Sequence, residues 1–391
     1  MATQRSLRSN VDNLDGVRGG KNILGPSKEG SRNVLGNIGN MVPNTRSRAT
    51  SLKGDNYAIT KPERALHRQK ATSSLDILKP VPMETNLVIP EAEVPVFTAY
   101  SALAVDDIDK DDVNDPQMVT EHVNDVYMYL RQLERSQDIR QNYLQGSSIT
   151  PKMRSVLIDW LVDVHQQFSL LQETLYLTVC IIDRYLQEEG GNTQKKILQL
   201  IGVSAMFIAS KYEEMYSPEI RDFVFITDNT YTEHQIRTME IKMLKTLNFE
   251  LGRPLPLHFL RRNSKAGFVN AKIHSLAKFI MELSIVEYKM AHIYPSMLAA
   301  AALAYSIRVF DEDEDSYLED LWTPTLVHYS SYTLEEILPF VKELAKLVQK
   351  VVNSPQDAKL MQVRKKYTSR KLMSIAQNPH LKSSVAVKLA E

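Results

Sequence analysis

The chain has 391 residues, with 47 Lys+Arg and 47 Asp+Glu, so its formal net charge is +0. A neutral balance argues against a dedicated nucleic-acid or polyphosphate binder, although opposed local charge blocks are compatible with it. The single cysteine, Cys180, excludes a disulfide framework and a cysteine-based structural zinc site. No apolar run approaches the roughly 20 residues that span a bilayer, and the N-terminus lacks the apolar stretch of a secretory signal. We therefore expect an intracellular protein without a membrane span.

Residues 1–114 differ in composition from the rest of the chain. Seven of the 14 glycines lie in the first 40 residues, and Tyr57 is the only aromatic residue before Phe97. Residues 1–80 carry 14 Lys/Arg against 6 Asp/Glu, whereas residues 81–120 carry 1 against 9. Such a composition buries too little apolar surface to offset the entropy lost when the backbone is ordered. We predict a disordered tail, basic and then acidic, whose charge blocks are in the simplest interpretation solvated.

The rest of the chain predicts helices almost throughout. Asp115 is a favourable N-cap residue and a proline follows it, so a helix is predicted to begin there. Segment 197–210 is apolar on all sides, which predicts a helix inside a bundle, and Gly202 lets its neighbours approach closely. Thr232 and Gln235 have the spacing of a capping box that opens another helix. Apolar residues at helical spacing predict amphipathic helices over about 123–130, 157–168 and 175–186.

A similar arrangement recurs after a break at Gly252-Arg-Pro254. An amphipathic helix is predicted over about 271–291, and a second all-round apolar helix over 296–305. Further amphipathic helices are predicted near 333–350 and 357–376. No alternation of strands and helices is present in the sequence, which argues against a doubly wound fold. The predicted fold class is all-α, with two small helical domains in tandem.

Four charged residues fall on apolar faces of these predicted helices. They are Arg154, Asp183, Lys211 and Glu240. A lone buried charge is very costly, so each is expected to have a partner inside the fold or at an interface. Two cations and two anions allow two internal ion pairs or a mixture of internal and interfacial contacts. Lys211 has a further interpretation, because a lysine in the last turn of a helix complements the helix dipole.

The motifs of several enzyme classes are missing. The sequence contains no Gly-rich phosphate loop, no HExxH and no GxSxG. The nine histidines are scattered, and His165 is expected on a helix surface rather than in a role as a base. We therefore predict a binding protein that is not an enzyme and needs no cofactor or metal.

Several of these helical segments resemble the cyclin box. The matching segments are Met153-Arg-Ser-Val-Leu-Ile-Asp-Trp-Leu-Val-Asp-Val164, Ile182-Asp-Arg-Tyr-Leu186, Ala209-Ser-Lys-Tyr-Glu-Glu-Met215 and Met239-Glu240. The resemblance covers about 115–385, and Phe249–Arg262 is most similar to the B-type mitotic cyclins. In the tail, the destruction-box pattern of that group, RxxLGxIxN, is matched by Arg32, Leu35, Gly36, Ile38 and Asn40.

The resemblance implies two tandem five-helix cyclin-box repeats preceded by an N-terminal helix. It also implies that the chain activates a mitotic cyclin-dependent kinase by packing on the kinase's regulatory helix, without performing chemistry itself. It assigns Arg154 and Asp183 to an internal ion pair. The residues that it assigns to the kinase contact are Lys211, Tyr212, Glu214, Glu240, Phe249 and Leu251.

A second binding site is implied by the same resemblance. Cell-cycle cyclins dock Arg-x-Leu peptides of protein substrates on a patch that corresponds here to Met153, Val156, Trp160, Leu198 and Gln199. Asp163 stands where the best docking cyclins usually carry Glu, and Trp160 is equally compatible with a place in the core. The destruction box is implied to bind the anaphase-promoting ubiquitin ligase through Arg32 and Leu35.

These inferences divide the chain into three parts. We expect a regulatory tail with the destruction box over 1–114, a first cyclin box with its leading helix over 115–252, and a second cyclin box over 253–391. We expect a protein that shuttles between cytoplasm and nucleus, is nuclear in mitosis, and binds no nucleic acid or membrane. The alternative is another cyclin-fold adaptor, such as a basal transcription factor scaffold. Such a scaffold is expected to have a concentrated basic face and usually a zinc ribbon, and the lone cysteine argues against the ribbon.

Overall fold

The computed structural model describes residues 105–313, 315–355 and 358–391, and within these ranges it contains helices and no strand. The predicted destruction box and nearly all of the predicted tail lie outside the described residues. A leading helix, α1 (Val123–Ser136), comes first. The first repeat follows and consists of α2 (Pro151–Gln167), α3 (Gln172–Glu189), α4 (Leu198–Glu213), α5 (Ile220–Ile226) and α6 (Glu233–Thr246).

The second repeat also has five helices of more than one turn, with a single-turn helix between the third and the fourth. It consists of α7 (Pro256–Ala266), α8 (Ala271–Val286), α9 (Pro295–Val309), the single turn α10 (Leu318–Leu321), α11 (Pro324–Ser330) and α12 (Leu334–Val352). Two short helices, α13 (Gln362–Lys366) and α14 (Ser384–Lys388), follow it. The predicted class, two tandem five-helix repeats with a leading helix, is confirmed. None of the helices in the described ranges has the length and apolarity needed to cross a membrane.

Each repeat is built around one helix that is apolar on all sides for most of its length, as predicted. In the first repeat α4 packs against α2 so closely that a Cβ added at Gly202 would lie 2.7 Å from Leu157 Cδ1. In the second repeat, the run Ala299–Ala302 of α9 is completely buried. Small side chains at these positions let neighbouring helices approach and bury their own apolar faces. The capping box at Thr232 and Gln235 is also confirmed at the start of α6.

The leading helix α1 contacts the second repeat, although it precedes the first in the chain. The Tyr127 hydroxyl donates a 2.9 Å hydrogen bond to the His258 carbonyl oxygen in α7. The buried carboxylate of Glu134 accepts hydrogen bonds from the backbone N–H and the hydroxyl of Ser296, at the N-terminus of α9. These contacts attach α1 to two helices of the second repeat.

The start of the first helix differs from the prediction. This helix begins at Val123 rather than at Asp115. The Asp115 carboxylate accepts a 2.9 Å hydrogen bond from the backbone N–H of Gln117, which forms a local turn. Val119 then adopts a left-handed φ of 49°, and a right-handed helix cannot continue through such a residue.

Two predicted helices of the second half are shorter than expected. The helix predicted over 271–291 ends at Val286, because Glu287 has an extended backbone. The helix predicted over 357–376 is wrong for most of its length. Among the described residues of this range α13 is the only α-helix, and the left-handed residues Met373 and Ser374, with φ of 58° and 49°, separate two short 3-10 turns.

Candidate functional site

Lys211 and Glu240 form an ion pair between the end of α4 and the middle of α6. Lys211 Nζ donates to Glu240 Oε1 and lies 4.1 Å from the centre of the Phe207 ring. The Glu240 side chain is only 13% exposed, whereas that of Lys211 is 42% exposed. An ammonium carries three donors and a carboxylate a second oxygen, so the pair keeps hydrogen-bonding capacity for a partner.

The turn after α6 presents Phe249 to solvent. Asn248 and Phe249 are both left-handed, with φ of 50° and 61°. This conformation costs roughly 1–2 kcal/mol for a residue with a Cβ. Two tight turns follow, in which Leu251 N–H donates to the Phe249 carbonyl and Arg253 N–H donates to that of Leu251. The Phe249 ring is left 66% exposed.

Tyr212 connects the ion pair to this turn. Its exposed side chain follows Lys211 in α4, and its hydroxyl oxygen lies 3.4 Å from the point where a Cβ on Gly252 would be. Leu251 is half-buried and packs against the core from the same turn. Four predicted residues, Lys211, Tyr212, Glu240 and Phe249, are therefore placed on one surface with Leu251 beneath it, and we call these five residues the α4–α6 face.

Glu214 has an internal role that the sequence did not indicate. Its Oε1 accepts a 2.7 Å hydrogen bond from Leu171 N–H and a 2.5 Å hydrogen bond from the Thr174 hydroxyl. Leu171 is the N-cap residue of α3 and has no side-chain cap of its own. A carboxylate at this end of a helix is stabilising, so Glu214 caps α3 from the end of α4. Contact between Glu214 and a partner stays a prediction.

Three further exposed apolar residues extend from the end of α4 to α5. They are Met215, Tyr216 and Phe225. Exposed large apolar side chains that cluster on a surface are typical of protein interfaces. None of the three was predicted as a site residue. The available signal was the close succession of Tyr212, Met215 and Tyr216 at the end of a buried helix.

Arg154 and Asp183 form a buried bidentate ion pair. Arg154 is completely buried, and its Nε and Nη2 each lie 2.6 Å from an Asp183 carboxylate oxygen. The Tyr143 hydroxyl donates to Asp183 Oδ1 at 2.7 Å, and it is 3.1 Å from Arg154 Nε. Burial and the Asp183 charge raise the pKa of Tyr143 well above its ordinary value, so this hydroxyl stays protonated and donates. The four charged residues thus form two internal pairs, one buried and one at the surface.

The predicted docking patch is formed by buried and half-buried side chains. Trp160 and Leu198 are buried members of the core, while Met153, Val156 and Gln199 are half-buried. Asp163 accepts a 2.9 Å hydrogen bond from the Gln167 side chain one turn further along α2. The burial of Trp160 agrees with its interpretation as a core residue, and peptide docking at this patch stays a prediction.

His165 is buried rather than on a helix surface, so that expectation is wrong. Its Nε2–H donates to the Leu171 carbonyl oxygen at 2.9 Å, and its Nδ1 is buried without a partner. Burial, with the nearby Lys366 charge, lowers its pKa to about 4, so the ring is neutral at physiological pH. Among the described residues, no group of His, Cys, Asp or Glu could hold a metal ion.

The matches to family models agree with this architecture. The family model described as "Cyclin, N-terminal domain" matches residues 125–252, and "Cyclin, C-terminal domain" matches residues 254–381. Among solved structures, a viral cyclin from herpesvirus saimiri aligns with a TM-score of 0.46 at 20% identity, over 57% of this chain and 97% of that chain.

Curated relatives align over nearly the whole chain. The G2/mitotic-specific cyclin-B of Patella vulgata is 45% identical and aligns with 93% of this chain and 92% of its own length. The G2/mitotic-specific cyclin-B1 of Xenopus laevis is 42% identical, over 99% and 98%. The G2/mitotic-specific cyclin-B1 of Anguilla japonica is 50% identical and aligns with 80% of this chain and 74% of its own length. With both cyclin domains matched and these relatives aligned, the chain belongs to the G2/mitotic-specific cyclin B family.

Proposed function

We propose that this chain is the regulatory subunit that binds and activates a mitotic cyclin-dependent kinase at the G2/M transition. The observation that carries the proposal is the α4–α6 face, which places the Lys211–Glu240 pair beside the exposed Tyr212 and Phe249 in a member of the cyclin B family. The chain performs no chemistry in this role. It binds the active kinase conformer more tightly than the inactive one and thereby shifts the kinase population.

The α4–α6 face is held in place before any partner arrives. Arg184 in α3 donates a 2.5 Å hydrogen bond to the Glu250 carbonyl oxygen and so fixes the turn that carries Phe249. The internal Lys211–Glu240 pair likewise orients both charges. Binding to such a surface loses less conformational entropy than binding to a flexible loop, which supports a stable complex.

A charge exchange tests the proposal. The double variant Lys211→Glu, Glu240→Lys keeps an internal ion pair but presents inverted charges to the kinase. We expect its kinase affinity and its activation of the kinase to fall at least about 30-fold, since disrupting buried charged contacts costs about 2–5 kcal/mol. Titration calorimetry and a kinase assay with and without the chain measure this.

The matched control exchanges an exposed pair that has no further partner among the described residues. Glu343 and Lys346 form this ion pair on α12, and the double variant Glu343→Lys, Lys346→Glu inverts it. The control is expected to bind like the parent, and both double variants should unfold at the parental temperature. Equal kinase affinity for the parent and for the Lys211, Glu240 exchange would contradict the proposed function.

Further parts of the function rest on the sequence resemblance. We propose that the destruction box from Arg32 to Asn40 directs the chain to the anaphase-promoting ubiquitin ligase, and that the patch around Trp160 docks protein substrates. We also propose the division into 1–114, 115–252 and 253–391, and a protein that shuttles between cytoplasm and nucleus. The curated relatives support a mitotic cyclin rather than a basal transcription factor scaffold.

A further inference from the structure

Four serine or threonine residues of the chain are followed directly by a proline, the pair that proline-directed protein kinases select. They are Thr150, Ser217, Thr323 and Ser354. A kinase binds its substrate in an extended conformation, and the substrate hydroxyl must be free to reach the phosphorus atom that is transferred. All four lie in the part of the chain that the structure describes, and they differ in whether they meet these two requirements.

Three of these hydroxyl groups are hydrogen-bonded at helix ends. Thr150 and Thr323 are the N-cap residues of α2 and α11, and each side chain accepts a hydrogen bond from the backbone N–H three residues further on. In both cases the proline is the first residue of the helix, so the chain is helical directly after the hydroxyl. The Ser354 hydroxyl, just after α12, donates a 2.6 Å hydrogen bond to the Lys350 carbonyl oxygen. Each of the three would have to leave its helix end to accept a phosphate, which is unfavourable.

Ser217 differs from the other three. It is exposed between α4 and α5, and its hydroxyl has no hydrogen-bond partner among the described residues. Pro218 favours an extended backbone at the residue before it, and Glu219, the N-cap residue of α5, is extended with ψ of 154°. Residues 217–219 belong to neither helix. Ser217 therefore presents a free hydroxyl on an exposed segment and is followed by the proline that this class of kinase requires.

Ser217 also adjoins exposed apolar residues that extend the α4–α6 face. Met215 and Tyr216, the two residues before it, are 74% and 87% exposed. The segment 213–222 carries four carboxylates and one cation, Arg221, which already forms an ion pair with a residue of α6. A phosphate in an apolar interface or beside carboxylates is disruptive, because it loses hydration and repels like charges.

We propose that Ser217 is phosphorylated by a proline-directed protein kinase and that the phosphate weakens binding at the α4–α6 face. The Ser217 oxygen forms a bond to the γ-phosphorus of ATP, while the bond between that phosphorus and the β,γ-bridging oxygen breaks. ADP leaves, and the hydroxyl proton passes to the catalytic aspartate of the kinase. The assignment of the site is independent of the proposed function, whereas the effect on binding rests on it.

Phosphate mapping on the intact, full-length chain tests the site. The parent, Pro218→Ala and the control Ser354→Ala are each incubated with Mg²⁺-ATP and an active mitogen-activated protein kinase, a proline-directed enzyme that needs no cyclin. We expect peptide mass spectrometry to find phosphate on Ser217 in the parent and in Ser354→Ala, and to find it lost in Pro218→Ala. A parent without phosphate on Ser217, or with more phosphate on Thr150, Thr323 or Ser354, would overturn the assignment.

The effect on binding is measured by titration calorimetry with a mitotic cyclin-dependent kinase in the absence of ATP. We expect the phosphorylated parent to bind at least about tenfold more weakly than the unmodified parent, which corresponds to about 1.4 kcal/mol. Ser217→Ala carried through the same phosphorylation reaction should bind like the unmodified parent, and it should unfold at the parental temperature because the Ser217 side chain is exposed.

Equal affinities of the phosphorylated and the unmodified parent would overturn the weakening effect of the phosphate. Failure of the unmodified parent to bind the kinase would contradict the proposed function, and with it this effect, but not the mapped site.

Discussion

Arg154 in the first repeat donates a 3.0 Å hydrogen bond to the carbonyl oxygen of Ile285, near the end of α8 in the second repeat. The remaining nitrogens of the same guanidinium bind Asp183 in α3. One completely buried side chain therefore joins three helices across the two repeats. Ser155, the next residue, donates to the Val286 carbonyl oxygen at 2.7 Å and strengthens this junction.

Asp183→Ala is expected to destabilise the chain strongly. The substitution leaves the Arg154 charge buried without its counter-ion, and Tyr143 loses its acceptor. Removing one partner of a buried ion pair costs about 3–5 kcal/mol. Thermal and urea unfolding of the full-length chain, followed by circular dichroism, measure the change.

Glu343→Ala provides the matched control for this experiment. Glu343 forms an ion pair with Lys346 in which both side chains are more than half exposed. An exposed pair contributes about 0–1 kcal/mol, so this variant should unfold close to the parent. If Asp183→Ala and Glu343→Ala unfold at the same temperature, the Arg154–Asp183 pair does not stabilise the fold.

The contribution of Asp159 to the stability of the fold is expected to depend on pH. Its carboxylate is buried and accepts a 2.9 Å hydrogen bond from Gln362 N–H at the start of α13. Burial raises the pKa of Asp159 from 3.8 to about 6, against the opposing effect of the Gln362 hydrogen bond and the Lys365 charge. In the unfolded chain this carboxyl group loses its proton near pH 4. The native state therefore holds a proton between pH 4 and 6 that the unfolded state has released.

The stabilisation from this group is full below about pH 4 and is lost as the pH rises through about 6. Asp159→Asn carries no titratable group at this position. We expect the stability of the variant relative to the parent to increase by about 3 kcal/mol between pH 4 and 7. Urea unfolding of both chains across this pH range measures the difference. If the two stability curves run parallel, Asp159 has the same pKa in the native and in the unfolded chain.

Phe249→Gly is expected to lower partner affinity without lowering stability. Glycine removes the strain of the left-handed φ of 61°, and the exposed ring contributes little to the core. The unfolding temperature should stay equal or rise slightly. Kinase affinity should fall by about tenfold or more, because a large aromatic anchor is lost. A clear loss of stability, or unchanged affinity, would show that Phe249 supports the fold rather than the contact.

Arg32→Ala with Leu35→Ala is expected to lengthen the lifetime of the chain in mitotic extract. Both residues belong to the predicted destruction box, outside the described residues and outside the α4–α6 face. A short extended peptide binds through one charged and one apolar anchor, and loss of both removes the signal. Immunoblots after release from metaphase give the half-life, and kinase activation by the same sample should match the parent. Equally rapid loss of parent and variant would exclude this box as the operative signal.

Local features of the sequence were sufficient for much of the fold. The capping box at Thr232, the all-round apolar helix α4 and the close approach at Gly202 follow from residues near one another in the chain. Local features were misleading where two of them competed. Asp115 was expected to cap a helix, but its side chain forms a turn with Gln117 instead. Both outcomes satisfy a backbone N–H locally, so the sequence did not distinguish them.

Caps supplied from a distance were beyond local prediction. Glu214 caps α3 through Leu171, Asp159 accepts from Gln362 at α13, and Glu134 caps α9. In each case the acceptor and donor belong to segments separated by tens to hundreds of residues. A carboxylate can satisfy any helix terminus that packing brings within reach, and no spacing in the sequence marks which one.

The sequence by itself determined most of the helical segments and the four charges on their apolar faces, because amphipathic periodicity depends only on neighbours within a few turns. Periodicity left the pairing of these charges open, and only the tertiary structure shows that Arg154 is buried with Asp183 while Lys211 and Glu240 pair at the surface. Both pairs join residues 29 positions apart on different helices. Whether such a pair is desolvated depends on what covers it, and for Arg154 the cover comes from the second repeat, more than 100 residues further along the chain.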